Sequence, residues 1–477
     1  MSKYRLFGMV GVFLFLFATQ PLFAAYQTEE LELNGPSNNR IDIVIMGDGY
    51  TSTQQTQFKF DAETLIAYVF NQTPLKEYRI HYNFHLVYVV SKESGADKPS
   101  ENIYRDTALD ATYEAYGIRR LLVVDDSKTL SVAMSVPAAE YVFVLVNDSE
   151  YGGSGGTQVA VTSVHEQSPE ILTHEVGHML AELADEYSDP YPDYPPGCYE
   201  ANVACTTNRK SIKWAPWILS STPLPTPYNN QYANVIGAFE GARYQTSGVY
   251  RPRTNCRMRT LMQPFCEICS EHFIDVAYQR ISPTDANDGN LSVNAGEPLK
   301  LDALPIQPVG DSVQISWTID GSTAGNGATL QVNTSTLSLG QHTIKADLAD
   351  TSSLIRLASV KNKAKAEVTW QVTILPALPT DGDSLETDND GDWEEFPSAD
   401  GDLTESDSDH AFPTDGDFDD DLEPWTEFDM IQETDDLNSF SGGNSSDCSG
   451  VGRISAATWL LVLLVMGAWR MRNDSRS

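Results

Sequence analysis

The sequence predicts an α/β domain, a mixed sheet with helices, followed by a small immunoglobulin-like β-sandwich. Three observations carry this reading. Apolar runs of strand length at residues 40–46 and 141–147 are separated by a stretch of helical periodicity. The segment Ser168-Pro-Glu-Ile-Leu-Thr-His174-Glu175-Val-Gly-His178 carries helix-start signals and sets two histidines four residues apart. After Ile281 the composition turns to Ser, Thr, Val, Gly and Asn, with period-two alternation at Val313, Ile315, Trp317 and Ile319 and again at Val368, Trp370, Val372 and Ile374.

Taken in order, residues 1–25 read as a secretory signal peptide. Lys3 and Arg5 supply the charged start, residues 6–22 are mostly apolar, and Phe23-Ala24-Ala25 offers a cleavage site, so the mature chain is expected to begin near Tyr26. An uncleaved N-terminal anchor is the alternative, and either form is exported. Residues 40–46 read as a buried strand, closed by the turn Gly47-Asp48-Gly49-Tyr50. Thr51 and Gln54 form a capping box for a helix running to about Phe70, with Phe58, Leu65, Ile66 and Val69 as its apolar stripe. Residues 84–91, 120–124 and 141–147 are expected as further strands. Tyr151-Gly-Gly-Ser-Gly-Gly156 reads as a flexible loop, not a phosphate cradle, since no Lys-Ser/Thr follows it. Residues 158–164 form a strand, and an edge strand just before the histidine helix is where zinc peptidases commonly seat a substrate backbone.

On that helix the two histidines project from one face and reach one metal ion. His-Glu-x-x-His is the zinc-peptidase pattern, and its residue types follow from the chemistry. Neutral imidazoles suit zinc, and a catalytic site keeps three protein ligands and one position for water. Zinc lowers the pKa of that water towards ~7. Glu175 then serves as the general base that takes its proton as it attacks a peptide carbonyl.

Several ordered motifs extend the match. They are Asn39-Arg-Ile-Asp-Ile-Val-Ile-Met-Gly-Asp-Gly-Tyr50, Asn147 with the glycine loop, the histidine motif, and Leu183-Ala-Asp-Glu-Tyr187. Downstream come Lys213-Trp-Ala215, Phe239-Glu-Gly-Ala242, Tyr250-Arg-Pro252, and Cys256-Arg-Met-Arg259 with Phe265-Cys-x-x-Cys269. Together, over roughly residues 26–281, they resemble the bacterial IgA-peptidase family of zinc metallopeptidases. The resemblance implies a metzincin-like fold, Met258 beneath the zinc as a Met-turn with Met262 as competitor, and Asp185 as third ligand beside His174 and His178. In an unbroken helix Asp185 falls on the face of His178 but ~10 Å further along. It reaches the same ion only if the helix ends within residues 181–184 and the chain turns back. Family members usually carry glycine in that turn, where this chain has Glu182. Glu182, Glu186, His165 and His272 remain as other candidate ligands.

Export favours disulfides for the cysteines: Cys198 with Cys205, and Cys256 with Cys266 or Cys269, leaving one thiol over. Residues 26–283 are expected as the peptidase domain and 284–375 as the sandwich, a spacer without catalytic groups. The net charge of −36 is concentrated in a low-complexity stalk at 376–447, where residues 381–447 hold 25 acidic residues and no Lys or Arg. The stalk is expected to be disordered and at most a weak Ca2+ binder. No basic patch points to nucleic acid. Residues 448–477 combine Cys448, an apolar run at 454–469 and Arg470, Arg472 and Arg476. They read as a transmembrane or sorting tail and resemble the C-terminal sorting tags of some Gram-negative bacteria.

The chain is therefore expected to be a secreted or surface-displayed zinc endopeptidase acting on protein or peptide, held at the bacterial membrane or cell surface by its tail. The alternatives are an inactive surface adhesin on a peptidase fold and a zinc amidase acting on cell-wall peptides. The family's name points to immunoglobulin, but no residue here encodes that preference.

Overall fold

The computed structural model describes residues 26–190, 194–195 and 197–378. The expected signal peptide, the acidic stretch from residue 379 onward and the C-terminal tail lie outside the described residues. Among the described residues no helix is long and apolar enough to cross a membrane.

The first half is built on one mixed sheet. Its elements are β1 (Gln27–Glu32), β2 (Ile41–Asp48), α1 (Gln55–Val69), β3 (Tyr82–Tyr88), α2 (Asp126–Ala133), β4 (Ala139–Val146), β5 (Gly153–Gly155), β6 (Val159–Ser163) and α3 (Ser168–Ala181). The strand order is β1-β3-β2-β4-β6-β5. The inner strands β3, β2, β4 and β6 run parallel, and the two edges, β1 and β5, are antiparallel to their neighbours.

Every residue of β2 is buried because both faces of the sheet are covered. Ile41, Ile43 and Ile45 pack with Phe58, Leu65, Ile66 and Val69 of α1 and with Leu172, Val176 and Leu180 of α3. Val44 and Met46 face the other way, onto Val132 and Ala133 of α2 and onto Leu109, Tyr113 and Leu122 of the long β3–α2 connection.

Four expectations need correction here. Residues 120–124 are not a strand. Leu121 and Leu122 are buried, but in a loop layer that packs on the sheet and pairs with it through isolated bridges such as Leu121 to Gly153. The glycine stretch is not wholly loop, since Gly153–Gly155 adds β5 as the sheet edge. The strand before α3 is therefore internal, paired to β4 on one side and β5 on the other. The capping residues at 51 and 54 do act, but on a 3-10 turn: the Thr51 N–H donates to the Gln54 side chain at 3.0 Å and α1 begins one residue later.

After α3 the chain runs through irregular structure that includes the expected Cys198–Cys205 disulfide. It then forms the hairpin β7 (Phe239–Ala242) and β8 (Gln245–Arg251) and the helix α4 (Glu267–Ala277). Cys256, Cys266 and Cys269 are all unbridged and buried, contrary to the expected second disulfide.

The remaining elements are β9 (Gly289–Asn294), β10 (Pro298–Asp302), β11 (Val313–Ile319), β12 (Ser322–Asn326), β13 (Thr329–Asn333), β14 (Gly340–Asp350), α5 (Ala358–Lys363) and β15 (Lys365–Leu375). One five-stranded sheet is ordered β12-β11-β14-β15-β9, and β10 pairs with β13 in a second sheet. The alternating residues Val313, Ile315, Trp317, Val368, Trp370, Val372 and Ile374 turn inward onto Leu301, Leu330 and Val332 of the smaller sheet. This part is tied to the first by buried polar contacts. The hydroxyls of Tyr78 and Tyr278 both donate to Asp350, at 2.7 and 2.8 Å, and Glu271 on α4 accepts from the backbone N–H groups of Arg356 and Leu357.

Candidate metal centre

The site grows from the end of α3. The helix stops at Ala181, and Glu182 caps it in the left-handed region (φ 47°, ψ 36°), its side chain exposed. Glycine adopts this conformation most easily, yet Glu182 does so here, and the chain reverses at once. The N–H groups of Glu182 and Leu183 bond back to the carbonyls of His178 and Gly177 at 3.0 and 3.1 Å. Asn202 clamps the return, accepting from the Ala184 N–H at 2.9 Å and donating to the Ala184 carbonyl at 2.8 Å. Asp185 is thereby brought back beside the histidines.

Three ligand atoms then converge. His174 Nε2 and His178 Nε2 are 3.1 Å apart, and Asp185 Oδ1 lies 3.1 Å from the first and 3.4 Å from the second. Metal–ligand bonds of ~2.0–2.1 Å in a tetrahedron place donor atoms about 3.3 Å apart, so this donor set fits one divalent ion. The outer partners fix the rings. His174 Nδ1 faces the Arg257 carbonyl at 3.0 Å and His178 Nδ1 the Leu183 carbonyl at 2.6 Å. Each Nδ1–H donates there, which turns both Nε2 atoms towards Asp185. Tyr244 donates its hydroxyl to Asp185 Oδ2 at 2.6 Å.

All three residues are buried. Burial alone would raise the Asp185 carboxyl, but the two imidazoles hold it well below the usual carboxylate range. Burial alone would lower His178, but the Asp185 charge raises it to about 9. Glu175 is pushed up by burial, against the pull of the neighbouring histidines, and its Oε1 is buried without a hydrogen-bond partner among the described residues. On its other side lies β5: a Cβ at Gly155 would sit 2.2 Å from Glu175 Oε2. The glycine there leaves the space that the carboxylate occupies.

Beneath the helix, Met258 is fully buried against Gly177, where an added Cβ would meet its sulphur at 2.5 Å. Met262 is 76% exposed, so of the two methionines only Met258 underlies the site. His174, Glu175, His178 and Asp185 are thus brought together. Glu182 points to solvent, His165 accepts from the Gln167 N–H, and His272 sits beside Asp275, all outside the cluster. Glu186 turns away from the histidines towards Cys269. Sequence reasoning missed Asn202, Tyr244 and the space at Gly155. No local signal marks the first two, which reach the site from 17 and 59 residues beyond Asp185.

Comparison with known families bears on the first half of the chain. A family profile described as IgA Peptidase M64 matches residues 30–234 and 229–277. No curated protein matches the chain. Among solved structures, a quinonprotein alcohol dehydrogenase-like protein from Bacteroides thetaiotaomicron is 12% identical with a TM-score of 0.14, the match covering 19% of this chain and 18% of that one. The fibronectin(III)-like modules of Clostridium thermocellum CbhA are 16% identical with a TM-score of 0.15, covering 20% and 94%. An internalin-like protein of Listeria monocytogenes is 13% identical with a TM-score of 0.14, covering 21% and 32%.

Proposed function

The chain belongs to the IgA peptidase M64 family, and from that premise we propose a zinc-dependent endopeptidase with His174, His178 and Asp185 as metal ligands and Glu175 as general base. As a peptidase it acts on protein or peptide. One observation carries the finer reading: three donor atoms within 3.4 Å of one another stand beside a buried carboxylate with an unpartnered oxygen. Stability alone gives no reason to keep an orphaned buried carboxylate, which costs free energy.

Zinc bound here supplies Lewis acidity at neutral pH to a water and a scissile carbonyl. The protein's own groups do the rest. The Nδ1–H bonds to Arg257 and Leu183 hold both imidazoles in one tautomer, and Asp185 brings a negative charge that Tyr244 orients. Glu175, its carboxyl raised by burial, accepts a proton from the attacking water and returns it to the leaving amide nitrogen. Gly155, on the β5 edge beside Glu175, offers backbone groups to an extended substrate and admits a close approach.

Export and surface display belong to the same proposal and rest on the sequence of residues 1–25 and 448–477. So does an immunoglobulin-like spacer at 284–375, which the inward alternation of β11 and β15 supports. An inactive adhesin is disfavoured by the retained Glu175. The test is Glu175→Gln, which should keep bound zinc and lower hydrolysis of a mixed peptide library by ~10²–10⁴-fold. Turnover near the wild-type rate would rule out Glu175 as base, and loss of the metal in this variant would show that its role is structural.

A further inference from the structure

The three unbridged cysteines meet Glu186 in a second buried cluster behind the first. One ligand atom from each of Glu186, Cys256, Cys266 and Cys269 lies within 4.8 Å of all the others. We propose that these four residues bind a second metal ion, a structural zinc, in a closed four-coordinate site.

The distances suit thiolates around an ion. Cys269 Sγ is 3.5 Å from Cys266 Sγ and 3.6 Å from Cys256 Sγ, and 3.8 Å from Glu186 Oε1. Zinc–sulphur bonds of ~2.3 Å place tetrahedral sulphurs about 3.8 Å apart. Cys269 is nearly equidistant from the other two, so the geometry selects no disulfide pair. Any pairing would leave one thiol beside a buried carboxylate.

A second, independent observation is Glu186 itself. It is fully buried, Oε1 accepts from Asn202 Nδ2 at 3.1 Å, and Oε2 has no hydrogen-bond partner among the described residues. A carboxylate so placed among sulphurs is costly unless a cation sits with it. The local backbone is also arranged for negative sulphur. The Cys266 N–H donates to Cys256 Sγ at 3.1 Å, and Cys266 and Cys269 flank the first turn of α4, whose N-terminal end favours thiolates. Arg259 donates to the Glu186 carbonyl at 2.6 Å and, with Arg251, supplies positive charge close to the cluster. Three sulphurs and one carboxylate select a borderline-soft ion such as zinc over magnesium or calcium.

The site joins three pieces that position the first centre. Glu186 follows Asp185, Cys256 lies two residues before Met258, and Cys266 opens α4. The Glu186 N–H also donates to the Met258 carbonyl at 2.8 Å. An ion here braces the returning segment that carries Asp185 against the methionine under the histidines.

The test uses the full chain and does not depend on catalysis. Elemental analysis should find two zinc ions per wild-type chain and one in His174→Ala. Exchange of cobalt for zinc in His174→Ala should keep the strong near-ultraviolet absorption that cobalt–thiolate bonds produce and imidazole or carboxylate ligands do not. Cys269→Ser should lose that absorption. If this variant fails to fold, the wild type still decides: the thiols of Cys256, Cys266 and Cys269, followed by peptide mapping, should resist alkylation until a chelator removes metal, then all three react. The proposal is overturned by His174→Ala without metal, by thiols that react at the same rate with or without chelator, or by mass spectrometry showing a disulfide among these cysteines. None of these results bears on whether Glu175 is a base, so the two readings fail separately.

Discussion

Gly155→Ala isolates the geometry around the proposed base. The added methyl would lie 2.2 Å from Glu175 Oε2, 3.0 Å from Cδ and 3.3 Å from Cβ. To regain van der Waals distance the carboxylate must retreat by about 1 Å. What it meets is the end of a flexible side chain, so the fold should lose little, about 0.5–1.5 kcal/mol for an off-rotamer Glu175. Catalysis is less tolerant, since a misplacement of ~1 Å costs about 10²-fold, or ~2.7 kcal/mol at the transition state. The assay is kcat/KM on a quenched fluorogenic peptide, with zinc content and Tm measured on the same sample. Gly156→Ala is the control, because its Cβ meets only the Val159 carbonyl, at 3.1 Å. The expected pattern is a 10²-fold loss at 155, bound zinc retained, and a few-fold effect at 156. A Gly155→Ala enzyme with wild-type kcat/KM would refute the placement of Glu175 against the substrate edge.

Other expectations follow from the same geometry. Asp185→Ala should weaken zinc binding by more than the ~10–100-fold expected for Tyr244→Phe, which removes only the outer hydroxyl; competition with a chelator measures both, and equal affinities would exclude Asp185 as ligand. Glu182→Gly should raise stability by up to about 1 kcal/mol in chemical denaturation, because the left-handed cap strains a side chain that is exposed; a clear loss would mean that the Glu182 side chain holds the turn. His81 is fully buried, with neither ring nitrogen hydrogen-bonded among the described residues, and burial lowers its pKa to about 3. Its folded pKa lies below the unfolded value of about 6.5, so it contributes full stability above pH 6.5 and loses it at up to ~1.4 kcal/mol per unit as pH falls towards 3. His81→Phe should flatten that part of the stability profile, and an unchanged slope between pH 6 and 4 would refute the assignment.

Much of this was legible in the chain itself. The pair His174 and His178 with Glu175 between them needs only the 3.6-residue repeat of a helix, and local spacing encodes that. The buried strands at β2 and β4 and the inward alternation of β11 and β15 are likewise written in side-chain pattern. The Cys198–Cys205 pairing is suggested by two cysteines only seven residues apart. Other features depend on groups far apart in sequence. Asp185 reaches the histidines because Glu182 accepts a left-handed conformation and Asn202 holds the return, which propensity at residue 182 argues against. The run at 120–124 has a strand's composition but is buried by a loop, and apolarity alone does not distinguish the two. Cysteine spacing left Cys256, Cys266 and Cys269 as a disulfide problem. Only the folded chain places Glu186 beside all three sulphurs, because that neighbour comes from the same return turn that delivers Asp185. Sequence thus determined the chemistry available on each element, while tertiary packing decided which groups share a buried volume, since contacts such as Asn202 with Ala184 and Glu186 with Cys269, 18 and 83 residues apart, leave no local periodicity to read.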